Sequence, residues 1–138
     1  LGTDLSRWKE EKHFTAWLGL APGRNESGKR RRRVGRRKTI AGKIFKEGAM
    51  SIAKSKHLAL GGFYRRLKGR TCAAVANTAT ARKLAQLYYR LMTKGLDYVE
   101  QGLQEYEKQY QQQSAQRLKK AAQRMGLTVI DTQTGVVI

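Results

Sequence analysis

The 138-residue chain is predicted to be all-α: a small helical domain with a long basic loop between its first two helices and a C-terminal amphipathic helical extension. Three observations carry this prediction. Apolar residues recur at three- and four-residue spacing in several separate stretches. One short segment alone, Leu127 to Ile130, reads as a strand, too short to be a sheet by itself. Between the first two periodic stretches lies a polar run crowded with arginines and glycines that has no period at all.

Ser6 stands where an N-cap would open a short helix carrying Trp8, Phe14, Trp17 and Leu18, which ends near Gly19 because Pro22 and Gly23 follow. Residues Pro22 to Lys38 form the exposed polar loop. From Thr39 the series Ile40, Ile44, Phe45, Gly48 and Ile52 recurs on one face, which predicts a helix to about Ser55. His57 to Gly62 reads as a break, followed by a short helix through Phe63, Tyr64 and Leu67. A long helix from about Cys72 to Thr93 turns Ala76, Thr80, Leu84, Leu87, Tyr88 and Leu91 inward and stops at Gly95, where glycine tolerates the left-handed conformation of a C-terminal cap. Val99, Leu103, Tyr106 and Tyr110 then make one narrow aromatic stripe on an amphipathic helix that wants a partner, and a further helix runs from about Ser114 to Gly126. The domains so delimited are a basic helical unit, 1–96, and an amphipathic extension with a short tail, 97–138.

Composition narrows the function. The chain holds 29 Lys and Arg against 10 Asp and Glu, a formal charge of +19, which few stand-alone enzymes carry. A 40% hydrophobic share is too high for a fully disordered basic tail, so one modest core is expected. The longest uncharged stretch, Thr71 to Ala81, has 11 residues, well short of the roughly 18 that a membrane span needs. Cys72 is the single cysteine and has no internal disulfide partner, which fits an intracellular setting. No Met opens the chain and no signal-peptide pattern follows, so it reads as a fragment of something longer.

The charge is unevenly placed. Residues 1–96 hold 24 basic and 5 acidic side chains, whereas 97–138 hold 5 of each, so the whole excess lies in the first part. Lys29, Arg30, Arg31, Arg32, Arg33, Arg36, Arg37 and Lys38 put eight cations in ten positions, a run that repels itself unless a polyanion neutralises it. Arg65, Arg66, Lys68 and Arg70 follow the aromatic pair Phe63 and Tyr64, and Arg82, Lys83, Arg90 and Lys94 punctuate the long helix. A single charge run is often only a solvated face, but three separate groups favour phosphate binding. The positions assigned to nucleic acid are Arg24, the eight cations of the loop, Lys43, Arg65, Arg66, Arg82 and Lys83. A membrane surface fits less well, because no basic segment has a wide apolar face bearing Trp or Phe.

Other chemistries find little support. His13 and His57 are far apart in sequence, and Asp4, Glu10, Glu11, Glu26 and Glu47 lack a metal-ligand spacing; His13 reads as a partly buried helix residue and His57 as a helix-end residue. Neighbouring pairs such as Glu10 and Glu11, or Glu105 and Glu107, point in different directions on a helix and offer no acid–base pair. Neither Gly61-Gly62 nor Gly28-Lys29 has the strand–loop–helix context of a phosphate loop. Ser27 remains. A serine before glycine in a polar loop is ordinarily a turn residue, but this one has an Arg three residues before it and a Lys and four Arg within the six residues after it. Arginines stabilise the charge that builds on phosphoryl oxygens under nucleophilic attack.

The residues His13-Phe14-Thr15-Ala16-Trp17-Leu18-Gly19-Leu20-Ala21-Pro22, followed by Glu26-Ser27-Gly28-Lys29, strongly resemble the insertion-sequence "one-ten" transposases, DEDD recombinases guided by a bridge RNA. The likeness continues through Gly61-Gly62-Phe63-Tyr64-Arg65-Arg66-Leu67, Ala81-Arg82-Lys83-Leu84-Ala85 and Leu91-Met92-Thr93-Lys94-Gly95-Leu96-Asp97-Tyr98, and so covers about residues 1–125. It implies a C-terminal transposase domain in which Ser27 becomes joined transiently to a DNA 5′ phosphate. It also implies an N-terminal ribonuclease-H-like domain holding Mg2+, with no counterpart here, so that this chain alone is expected to bind nucleic acid without cutting it and to need no cofactor of its own. The expected partners are DNA, the guide RNA, that nuclease-like domain and a second copy of the chain, in a bacterial or archaeal cytoplasm close to the nucleoid, without membrane. Two positions depart from the family: Lys46-Glu47-Gly48 stands where relatives commonly show a Leu-Arg pair, and Arg33-Val34-Gly35-Arg36 is unusually basic. The alternative is a non-catalytic nucleic-acid-binding module in which Ser27 merely shapes a turn.

Overall fold

A computed structural model of the chain describes residues 4–22, 38–56 and 58–137. The described residues are all-α, with five helices: α1 (Glu11–Trp17), α2 (Ile40–Lys54), α3 (Ala59–Arg70), α4 (Ala73–Lys94) and α5 (Leu96–Arg124). None is long and apolar enough to cross a membrane. The chain divides into two compact units, Leu1–Glu100 and Gln101–Ile138.

The first unit is organised around α4, which packs against α1, α2 and α3. Small side chains make this possible: Ala76, Thr80, Ala81 and Ala85 are fully buried along one face, which lets neighbouring helices come close. The buried Thr80 hydroxyl donates back to the Ala76 carbonyl at 2.8 Å, so it brings no unmet donor into the core. Gly95 ends the helix as expected, with φ at +88°.

α1 has seven residues, too few to be stable by itself, and tertiary contacts hold it. Phe14 is wholly buried and sits among rings: Trp8 at 5.1 Å, Tyr89 at 5.8 Å, Tyr88 at 6.2 Å and Phe45 at 6.3 Å between centroids. Leu5, Leu18 and Leu20 close the cluster. The Glu11 carboxylate takes a bidentate pair of bonds from Arg90, at 2.7 and 3.0 Å, and a third from Gln86 at 3.1 Å. The Tyr89 hydroxyl donates to the Trp8 carbonyl at 2.6 Å.

Several expectations are corrected. Ser6 does not cap α1; its N–H donates to Asp4 Oδ1 at 2.8 Å within a turn, and the helix begins only at Glu11. Trp8 folds back onto both Phe14 and Trp17, and residues nine apart, as Trp8 and Trp17 are, would stand on opposite sides of a continuous helix. His13 is exposed, not partly buried. In α2 the apolar series splits: Ile40 is 82% and Ile44 61% exposed, while Gly42 and Ala49 are buried and Phe45 packs on the core. The break before Phe63 is shorter than predicted, because α3 already begins at Ala59 and takes Gly61 and Gly62 into its first turn. A Cβ at Gly61 would collide with the Ser55 carbonyl and lie 2.9 Å from that of Ile52, so this glycine lets α3 cross the end of α2. His57, expected at a helix end, lies outside the described residues.

In the second unit the two predicted helices are one, continuous through Ser114 to Arg124. Gly126, with φ at +73°, follows its end. Leu127 to Ile130 is not a strand; the tail has one isolated antiparallel bridge between Ile130 and Val137, around a turn in which Asp131 Oδ1 accepts from the Gln133 N–H at 2.8 Å.

Candidate nucleic-acid interface

The residues on either side of the most densely basic segment, 23–37, which lies outside the described residues, are tied to each other. Thr39 is the N-cap of α2: its hydroxyl oxygen accepts from the Gly42 N–H at 3.0 Å, and the same hydroxyl donates to the Leu18 carbonyl at 3.2 Å, twenty-one positions back in the chain. Gly42 has no space for a side chain, since a Cβ there would overlap the Leu18 carbonyl oxygen. The last turn of α1 and the first turn of α2 are therefore in close backbone contact where the loop leaves and returns.

Beside this junction lies a cleft of about 510 Å3. One wall is the outgoing stem, Leu20, Ala21 and Pro22; the other is α4, which contributes Val75, Thr78, Ala79, Arg82, Lys83 and Gln86; Phe63 of α3 completes the lining. The α4 residues follow helical spacing, so a single stripe of the helix faces the cleft. The Lys83 ammonium lies over the Phe63 ring, 4.5 Å from its centroid. Arg82 Nε is buried and has no hydrogen-bond partner among the described residues. An orphaned donor of this kind is uncommon in folded proteins.

Glu11 lies outside the cleft lining and accepts a hydrogen bond from the lining residue Gln86. Hydrogen bonding from Arg90, together with the positive charges of Arg90, Lys94 and Arg82, holds its carboxyl below the usual glutamate range despite partial burial, and the same bond raises Arg90. Glu11 thus stays ionised and engaged with Arg90 and Gln86 on the α1–α4 contact.

Of the positions assigned to nucleic acid, the structure brings Arg82 and Lys83 together in the cleft. Lys38 and Lys43 are exposed at the returning stem and on the first turns of α2. Arg66 is half-buried on α3. Arg65, exposed on α3, also makes a contact within the fold. Its Nη1 donates to the Ser55 carbonyl at 2.7 Å, at the C-terminal end of α2, where a cation suits the negative end of the helix dipole. Ser27 and Arg24, Lys29, Arg30, Arg31, Arg32, Arg33, Arg36 and Arg37 lie outside the described residues. Sequence reasoning does not single out Thr78 and Gln86; their spacing from Arg82 and Lys83 on one helix stripe is the signal that could have found them. Among the described residues no group of three His, Cys, Asp or Glu could hold a metal ion, and Cys72 is exposed at the N-cap of α4.

No curated protein and no solved structure matches the chain. Residues 1–64 match the model of the Transposase IS116/IS110/IS902 family, a segment that takes in α1, both stems of the basic loop, α2 and the start of α3. Over these residues the chain is similar to the IS116/IS110/IS902 transposases, which supports a C-terminal transposase domain and a general role in DNA transposition.

Proposed function

We propose that this domain supplies the nucleophile of transposition, Ser27, and the cations that hold the strand it attacks. The observation that carries the reading is the family match over residues 1–64, because it spans the serine, its basic loop and both stems that tie the loop to the helical core. In the reaction the Ser27 hydroxyl oxygen attacks a backbone phosphorus, the bond from phosphorus to the 3′ oxygen breaks, and that oxygen leaves as a 3′ hydroxyl while the serine proton passes to solvent. The product is a phosphoserine ester to the 5′ phosphate. A 3′ hydroxyl of a second strand then attacks the same phosphorus and expels Ser27. One phosphodiester is exchanged for another, and no nucleotide hydrolysis is needed.

The loop cations Arg24, Lys29 to Arg33, Arg36, Arg37 and Lys38, with Lys43, Arg66, Arg82 and Lys83, neutralise backbone phosphates and the charge developing during attack. On this reading the chain acts with DNA, a guide RNA, a second copy of itself and a nuclease-like domain; that domain holds Mg2+, which supplies further charge neutralisation at the reacting phosphate.

The test joins the chain to such a nuclease-like domain, with Mg2+, guide and target DNA, and looks for a covalent protein–DNA adduct. The adduct should form with the native sequence and vanish in Ser27→Ala. An adduct that persists in the variant rules out Ser27 as nucleophile, and binding without any adduct favours a purely nucleic-acid-binding module.

A further inference from the structure

We infer that the cleft between α4, Phe63 and the Leu20–Pro22 stem receives one unstacked nucleobase of the DNA strand bound by the loop. Four features of the cleft support this. Its volume, about 510 Å3, lies within the range of about 300 to 1,000 Å3 found for small-molecule sites, so a nucleotide fits. Its lining combines apolar groups, Leu20, Val75, Ala79 and the Phe63 ring, with the polar side chains of Thr78 and Gln86. Two cations, Arg82 and Lys83, line the cleft and can pair with the phosphates flanking an inserted base, and Arg82 Nε lacks an acceptor among the described residues. The Phe63 face is covered by the Lys83 ammonium at 4.5 Å. A phosphate drawing Lys83 aside would free that face for stacking, an interaction that tolerates any base because every base offers a π face.

DNA is the occupant chosen because the cleft wall is the stem of the Ser27 loop, and in this respect the inference rests on the function proposed above. Ser27 follows Pro22 by five residues, a tether of at most about 18 Å. The captured base therefore belongs to the reacting strand within a few nucleotides of the scissile phosphate. Holding it out of the stack would fix the strand's register and keep the adjoining backbone unpaired.

The experiment uses the full chain and short fluorescent single-stranded oligonucleotides at fixed ionic strength: a thymine-containing DNA strand, an abasic DNA strand with the same number of phosphates, and the corresponding RNA pair. The native chain should bind the base-bearing DNA about ten-fold more tightly than the abasic strand. Ala79→Trp, which fills the cleft from a half-exposed position, and Phe63→Ala, which removes the platform, should each erase that preference while leaving abasic binding and its salt dependence intact; circular dichroism confirms that the variants are folded. Equal binding of the two DNA strands by the native chain overturns the inference, as does a preference that survives both substitutions or one confined to RNA. None of these results bears on Ser27, whose role stands or falls with the covalent adduct.

Discussion

Thr39 and Leu18 are joined by a hydrogen bond of 3.2 Å from the threonine hydroxyl to the leucine carbonyl, and this bond ties together the chain on either side of the basic segment. The same hydroxyl caps α2 through the Gly42 N–H. One side chain thus acts locally, starting a helix, and at long range, fixing where a highly charged segment is attached to the core.

Replacing Thr39 by Val keeps the shape and removes both bonds. The loss of an N-cap costs about 1 kcal/mol, which for a unit of about 100 residues lowers the melting temperature by about 4–8 °C. Thr39→Ser should retain most of the stability. Thermal denaturation of the two variants provides the comparison.

Glycine-to-alanine substitutions should have opposite signs at two helical positions. A Cβ at Gly42 meets the Leu18 carbonyl, whereas one at Gly69, near the end of α3, meets nothing within 4 Å. Gly69→Ala should stabilise by about 0.5–1 kcal/mol through helix propensity. Gly42→Ala should destabilise by more than that gain, because backbone must move. Urea unfolding midpoints read both.

The Glu11–Arg90 pair predicts a pH dependence. The Glu11 carboxyl is held below its usual range by hydrogen bonding from Arg90, so its contribution to stability is present above the ordinary glutamate pKa and is lost as pH falls through the lowered folded value. The pair is partly exposed, with side-chain accessibilities of 41% for Arg90 and 29% for Glu11, so solvent screening keeps the effect to about 1 kcal/mol or less. Between pH 6 and pH 3 the native chain should lose more stability than Glu11→Gln, and 1 M salt should narrow the difference.

Two arginines one position apart should separate by assay. Arg65 spends a hydrogen-bond donor on the C-terminal carbonyls of α2, so Arg65→Gln should lower stability by about 1 kcal/mol. Arg66→Gln should instead weaken DNA binding with little change in melting. Equal effects of both substitutions on DNA affinity, with no change in stability, would contradict the assignment.

Binding to DNA should depend steeply on salt. If the loop and helix cations neutralise about six to ten phosphates, affinity falls by about 10³ to 10⁵ between 50 and 200 mM salt. A flat titration would remove the phosphate-binding reading altogether.

Much of this molecule is written in local chemistry. The start of α2 at Thr39, the stop of α4 at Gly95 and the small buried face at Ala76 and Thr80 follow from capping, backbone freedom and helical spacing, which involve only neighbours in the chain. The charge asymmetry and the serine among arginines are likewise properties of composition and order. Which face of α2 turns inward is of another kind. Ile40 and Ile44 are exposed, whereas Gly42, Phe45 and Ala49 share the inward face, and at Gly42 the backbone of Leu18 comes so close that no side chain fits. The separation of Arg65 from Arg82 and Lys83 arises in the same way. All are basic residues on amphipathic helices, and only the crossing of α3 over the end of α2, and of the Leu20–Pro22 stem past α4, sends one guanidinium to backbone carbonyls and the other two cations to a cleft. Helical periodicity is a short-range signal, whereas the distance between two helix surfaces depends on every element packed around them, and that distance decides which side chains remain available to a ligand.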